Sequence, residues 1–177
     1  MKKKIVILGS TGSIGKTTLN IIKKNKKDFE IELLTANNNI NELLKQVKEF
    51  NVKNLIVSNK KKFLFLKNKL KKKNIKIYDN LDCINIILKK KVDYCMCSIS
   101  GIPGLKPTLD MIKFTKIIAI ANKESIICGW NLIEKKLKKN KTKFIPVDSE
   151  HFSIWSLLQN SNISNVENVI ITASGGP

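Results

Sequence analysis

The sequence predicts an α/β fold with a doubly wound, mostly parallel sheet, and three observations carry the prediction. Short apolar runs alternate with longer segments whose apolar residues recur at helical spacing. The connections between them are short, as βαβ units require. A glycine turn, Gly9-Ser10-Thr11-Gly12-Ser13-Ile14-Gly15, leaves the first apolar run and opens the first helical pattern.

Taken in order, the first strand is the run Ile5-Val6-Ile7-Leu8, and Leu19, Ile21 and Ile22 mark the helix after the glycine turn. Further strands are expected at 29–34, 55–57, 75–78, 94–98, 117–121, 144–147 and 169–172. Between them, Ile40, Leu43, Leu44 and Val47 form one helical stripe, and Phe63, Leu64, Leu66 and Leu70 a second. Leu81, Ile84, Ile87 and Leu88 form a third, and Leu105, Leu109 and Ile112 a fourth. Ile126, Ile127, Trp130, Ile133 and Leu137 form a fifth, and residues 152–158 read as a helix after the seventh strand. Ligands of such sheets gather at the carboxyl ends of the strands, so the loops there carry the chemistry.

The first of these loops has the layout of an anion site. Glycines let the backbone approach a phosphate, and the free N–H groups of a helix start point at it with about half a unit of positive charge. The loop after the second strand, Thr35-Ala36-Asn37-Asn38-Asn39, holds no carboxylate to grip ribose hydroxyls, which leaves room for a 2′-phosphate and favours NADP over NAD. Lys123 opens a helix, where the dipole disfavours a cation, and is therefore expected to face a ligand. Asp148 and Glu150 share a side if the chain is extended there, offering oxygen ligands suited to Mg²⁺ or Mn²⁺. Equally compatible with the spacing is a helix start with Asp148 or Ser149 as N-cap and Glu150 in the first turn. Ala173-Ser174-Gly175-Gly176-Pro177 is a second candidate anion loop.

Composition narrows the function classes. The net charge is +19, yet all 33 basic residues are Lys, spread through Asn- and Ile-rich helical patterns, and aromatics are only 6%. A nucleic-acid surface uses Arg forks and interleaved aromatics, so the charge reads as solvated helix faces. The four cysteines form no C-x-x-C pair and lie far along the chain from His151, the one histidine, so neither zinc site nor disulfide framework is expected. They read as buried thiols of a reducing compartment. No segment has the apolar length of a membrane span, and the run after Lys2-Lys3-Lys4 is too short for a signal peptide. A cytoplasmic location is expected. A stand-alone nucleotide-binding module and a basic nucleic-acid-binding domain are the alternative functions.

Together, the segments 9–15, Ala121-Asn122-Lys123-Glu124-Ser125, Pro146-Val147-Asp148-Ser149-Glu150-His151 and Ser174-Gly175-Gly176-Pro177 resemble the 1-deoxy-D-xylulose 5-phosphate reductoisomerase family. The resemblance implies a Rossmann-like NADPH domain over residues 1–147 and the start of an α+β catalytic domain over 148–177. It implies metal-assisted rearrangement of the sugar phosphate, then reduction by NADPH to 2-C-methyl-D-erythritol 4-phosphate, in a full-length homodimer. Thr11, Gly12, Ser13, Ile14, Asn39, Asn122 and Glu124 would hold NADPH. Lys123, Ser149, Glu150 and Ser174 would hold substrate, with Ser174 near its phosphate. Asp148 and Glu150 would bind Mg²⁺ or Mn²⁺, and Lys123, Asp148 and Glu150 are the catalytic set. His151 stands outside the ligand set and reads as a packed histidine. Asn37 and Asn38 replace the Gly-Lys common in the family. The chain is expected to be an N-terminal fragment, inactive alone, with the third metal-binding Glu and the substrate lid beyond it.

Overall fold

The structure, a computed structural model, describes residues 1–71, 74–159 and 161–170. Among the described residues, seven strands form one sheet: β1 (Lys3–Leu8), β2 (Phe29–Ala36), β3 (Asn54–Val57), β4 (Lys76–Tyr78), β5 (Val92–Cys97), β6 (Thr115–Ile120) and β7 (Lys143–Pro146). Their order is β4-β3-β2-β1-β5-β6-β7, and every neighbouring pair is parallel. The helices are α1 (Ser13–Lys24), α2 (Ile40–Phe50), α3 (Lys60–Lys69), α4 (Ile84–Ile87), α5 (Leu105–Met111), α6 (Lys123–Asn140) and α7 (Ser149–Leu158).

The winding reverses between β1 and β5, which opens a crevice beyond their carboxyl ends. In β1 all of Ile5, Val6, Ile7 and Leu8 are buried because both faces of the strand are covered. Ile5 and Ile7 face α1 and α2 through Leu19, Ile22, Leu43 and Val47. Val6 and Leu8 face the opposite layer, with Ile84, Leu88, Met111, Ile112 and Ile133. Each fully buried side chain of this kind contributes about 1.5–3 kcal/mol, so the strand that presents the glycine turn is firmly anchored.

Three expectations need correction. Residues 169 and 170 form no strand, and 171 and 172 lie outside the described residues. In α6 the buried positions are Ser125, Gly129, Ile133 and Leu137, whereas Ile127 is 80% exposed. Small residues face inward because α6 lies against Leu105, whose side chain occupies the space a Gly129 Cβ would need. Trp130 is left at the rim, against Phe144 at 5.5 Å between ring centres. Finally, only Cys95 and Cys97 are buried thiols, while Cys83 is half-buried and Cys128 exposed.

Candidate functional site

The glycine turn sits at the end of β1 on the crevice. Gly9 has φ +82°, and a Cβ there would meet the Ser98 carbonyl oxygen at 2.8 Å. Gly15 lies directly against the Gly9 carbonyl and the Ser10 backbone, with no room for a side chain. Both glycines are therefore demanded by the fold. Gly12 is not: its φ is −76°, and its Cβ would meet only the Gly9 carbonyl oxygen, at 3.5 Å. Gly12 is the N-cap of α1 and brings no side-chain cap, whereas Asn39, Asn59, Asn122 and Asp148 cap α2, α3, α6 and α7 with side-chain oxygens. The first turn of α1 also lacks acidic residues. Its amides are thus left open to an outside acceptor, and the positive helix end is not offset.

Thr11 and Gly12 line a cavity of about 420 Å³, together with Thr35, Asn37, Ser58 and the loop Ser98-Ile99-Ser100. An adjoining cavity of about 260 Å³ is lined by Ile14, the same 98–100 loop and Asn122, Lys123 and Glu124. The crevice therefore runs from the end of β2, past the glycine turn, to the start of α6. Ser13 and Ile14 are exposed at the head of α1.

Asn122 lines the smaller cavity, and its side chain is engaged within the protein. It is 4% exposed, and its Nδ2 donates to the Ile99 and Gly101 carbonyls at 2.5 and 2.6 Å while Oδ1 caps the Ser125 amide at 2.9 Å. Its carboxamide fastens the 98–101 loop to α6. Asn39 is similarly engaged through Oδ1, which caps the Glu42 amide at 3.1 Å, but the residue is exposed beside Asn37. Glu124 and Lys123 remain exposed at the mouth of the smaller cavity.

The segment after β7 enters a helix at Ser149, so the helix-start alternative is the observed one and the extended i, i+2 pairing of Asp148 with Glu150 is not. Asp148 is the N-cap: its Oδ1 accepts from the His151 amide at 2.9 Å and lies 2.6 Å from His151 Nδ1. Burial raises the Asp148 pKa, but the two His151 contacts outweigh it and hold the carboxyl below the ordinary aspartate value. His151 is not packed as expected; its side chain is 68% exposed.

Glu150 accepts from Ser149 Oγ at 2.9 Å. Its pKa is lowered first by a backbone amide, then by that hydroxyl and the Lys123 charge, with Asp148 opposing. Lys123 follows β6, and Asp148 and Glu150 follow β7, so all three lie beyond the carboxyl ends of two neighbouring parallel strands. The two carboxylates provide oxygen donors only, a set that fits Mg²⁺ or Mn²⁺ as part of a shell. Among the described residues, no group of three His, Cys, Asp or Glu side chains gathers for an ion. Ser174 lies outside the described residues.

The loop at 98–100, Ser58 and the buried Gln46 behind the turn were not picked out from the sequence. The first had a usable signal. Ser98-Ile99-Ser100-Gly101-Ile102-Pro103-Gly104 is rich in small and turn residues and follows a strand, and the strand beside β1 across a winding reversal always borders the ligand crevice.

Comparison with known proteins bears on the same residues. A family model described as 1-deoxy-D-xylulose 5-phosphate reductoisomerase matches residues 5–129, and one described as the C-terminal domain of that enzyme matches 144–177. The 1-deoxy-D-xylulose 5-phosphate reductoisomerase of Pelagibacter ubique (strain HTCC1062) is 63% identical over 99% of this chain and 46% of its own length. The chain thus spans about half the length of the curated relatives it matches. The reductoisomerase from Zymomonas mobilis in complex with NADPH aligns with TM-score 0.91 and 34% identity, covering 100% of this chain and 47% of that one. A structure of the reductoisomerase with NADPH, fosmidomycin and magnesium aligns with TM-score 0.82 and 31% identity, over 89% of this chain and 39% of that one.

Proposed function

Because the chain belongs to the 1-deoxy-D-xylulose 5-phosphate reductoisomerase family, we propose that its crevice binds NADPH and that residues 123–150 serve the conversion of 1-deoxy-D-xylulose 5-phosphate to 2-C-methyl-D-erythritol 4-phosphate. The observation that carries this reading is Gly12. The fold tolerates a Cβ there, so the lack of one serves a group approaching from the crevice, and a pyrophosphate on the open head of α1 is such a group. Thr11, Ser13 and Ile14 border it. Asn122 takes part as the brace of the 98–101 loop. Asn39, Asn37 and Ser58 stand at the end where a 2′-phosphate would lie, and no carboxylate in the 35–39 loop opposes it.

Residues 1–147 are the cofactor domain in this reading, and 148–177 begin the metal-binding catalytic domain. The two family models, ending at 129 and starting at 144, divide the chain a few residues earlier. When bound, NADPH supplies the hydride, and a divalent ion held by Asp148 and Glu150 supplies Lewis acidity toward the substrate's oxygens. Lys123 draws the anionic substrate toward the same end of the sheet, and Ser149 and Ser174 hold it. His151 fixes Asp148 as a carboxylate. A homodimer and a cytoplasmic location belong to the same proposal; free, unpaired cysteines suit a reducing compartment. Among the described residues no helix is long and apolar enough to cross a membrane.

The test is NADPH oxidation with 1-deoxy-D-xylulose 5-phosphate and Mn²⁺. A polypeptide extended to the length of the relatives should turn over, while residues 1–177 alone should bind NADPH without turnover. Turnover by neither, with NADPH bound, would remove the catalytic half of the reading.

A further inference from the structure

Resting on the cofactor reading above, we propose that Gln46 is a positioning residue of the anion loop, which holds the Ser10 carbonyl inward and thereby turns the Thr11 N–H into the crevice. Gln46 lies on α2, 4% exposed, behind the glycine turn. Its Oε1 accepts from Ser10 Oγ at 2.7 Å, and its Nε2 donates to the Ser10 carbonyl at 3.0 Å. The Ser10 carbonyl fixes the orientation of the carboxamide, since it can only accept and so needs the nitrogen; the Ser10 hydroxyl also lies 3.3 Å from the Thr35 carbonyl. Ser10 completes its bonding with its own amide, which donates to the Thr35 carbonyl at 2.9 Å.

Ser10 is fully buried, although it stands between Gly9 and Thr11 in a loop that otherwise faces the crevice. The peptide joining Ser10 to Thr11 is planar and trans, so its C=O and N–H point in opposite directions. Holding the carbonyl against Gln46 therefore aims the Thr11 N–H away from the core. Among the described residues that N–H has no acceptor, and Thr11 lines the larger cavity. Gln46 touches no ligand in this account; it acts through one peptide plane.

A pyrophosphate contact makes a specific signature. Gln46→Leu should weaken NADPH about tenfold, the effect of losing one charge-assisted hydrogen bond. Adenosine 2′-monophosphate has the adenosine end but no pyrophosphate, and its affinity should be unchanged. A merely structural role would shift α2 and weaken both ligands alike, because α2 also begins at Asn39. Equal weakening, or unchanged NADPH affinity in the folded variant, overturns the proposal. If Gln46→Leu fails to fold, Ser10→Ala removes only the hydroxyl half of the clasp and should show the same contrast, reduced to about threefold. A wild-type chain that binds neither ligand overturns the cofactor reading and this inference with it, an outcome distinct from selective failure of the variants.

Discussion

Asp148 Oδ1 accepts from the His151 amide at 2.9 Å and meets the ring Nδ1 of the same residue at 2.6 Å. One oxygen thus both caps α7 and secures an exposed imidazole. A folded aspartate with a lowered pKa adds stability above its unfolded value, about 3.9, and loses it as pH falls through the lower folded value. We expect α7 to loosen only below about pH 4, seen as loss of His151 amide protection in a pH series of NMR spectra. Loosening well above pH 4 would contradict this.

Replacing that carboxylate separates its two tasks. Asp148→Asn keeps an acceptor for the His151 amide, so α7 should persist, whereas Asp148→Ala should lose about 1 kcal/mol of cap. In the extended polypeptide both variants, and Glu150→Gln, should lose Mn²⁺-dependent turnover while NADPH affinity stays within twofold. Parallel loss of NADPH affinity would place these carboxylates in the cofactor site instead.

Asn122→Ala leaves two loop carbonyls and the Ser125 amide without their partner. Cap loss plus buried unpaired groups should cost about 2–4 kcal/mol in urea unfolding. Asn122→Asp is the sharper variant. It keeps the cap acceptor but sets a carboxylate against the Ile99 and Gly101 oxygens, so it should be no better than Ala. A near-wild-type Asp variant would mean that the cap alone matters.

Gly15→Ala tests the close approach of α1 to the turn. Helix propensity favours Ala by about 1 kcal/mol, but the added Cβ would overlap the Gly9 carbonyl and Ser10 backbone, neither of which can swing aside as a side chain does. Overpacking of this kind costs about 1–3 kcal/mol, so the melting temperature should fall. A rise would show that the turn relaxes freely.

The sheet was legible in the sequence because its strands are covered on both faces and read as continuous apolar runs; β1, from Ile5 to Leu8, is the plainest case. The position of the crevice followed from the glycine turn. Illegible were the residues whose polar side chains work inward. Gln46 looks like a surface residue on a helix and Asn122 like a simple helix cap, since only tertiary contact reveals that each serves a backbone carbonyl elsewhere. The inward face of α6 was hidden for the opposite reason: Ser125 and Gly129 are small, and a stripe of small residues carries no hydrophobic signal although it is what lets two elements approach. His151 was misread because its partner lies three residues away in a helix start, a local arrangement that needs no packing at all.

The most direct test of the central claim is NADPH titration of Gly12→Val beside the wild type, with thermal unfolding of both. At φ −76° and ψ 174° the backbone suits valine, and the nearest atom to its Cβ is a single carbonyl oxygen at 3.5 Å. The account predicts an unfolding temperature within a few degrees of wild type and an NADPH affinity reduced about a hundredfold or more, the equivalent of two or so phosphate contacts. A folded Gly12→Val chain that binds NADPH as tightly as wild type would contradict it.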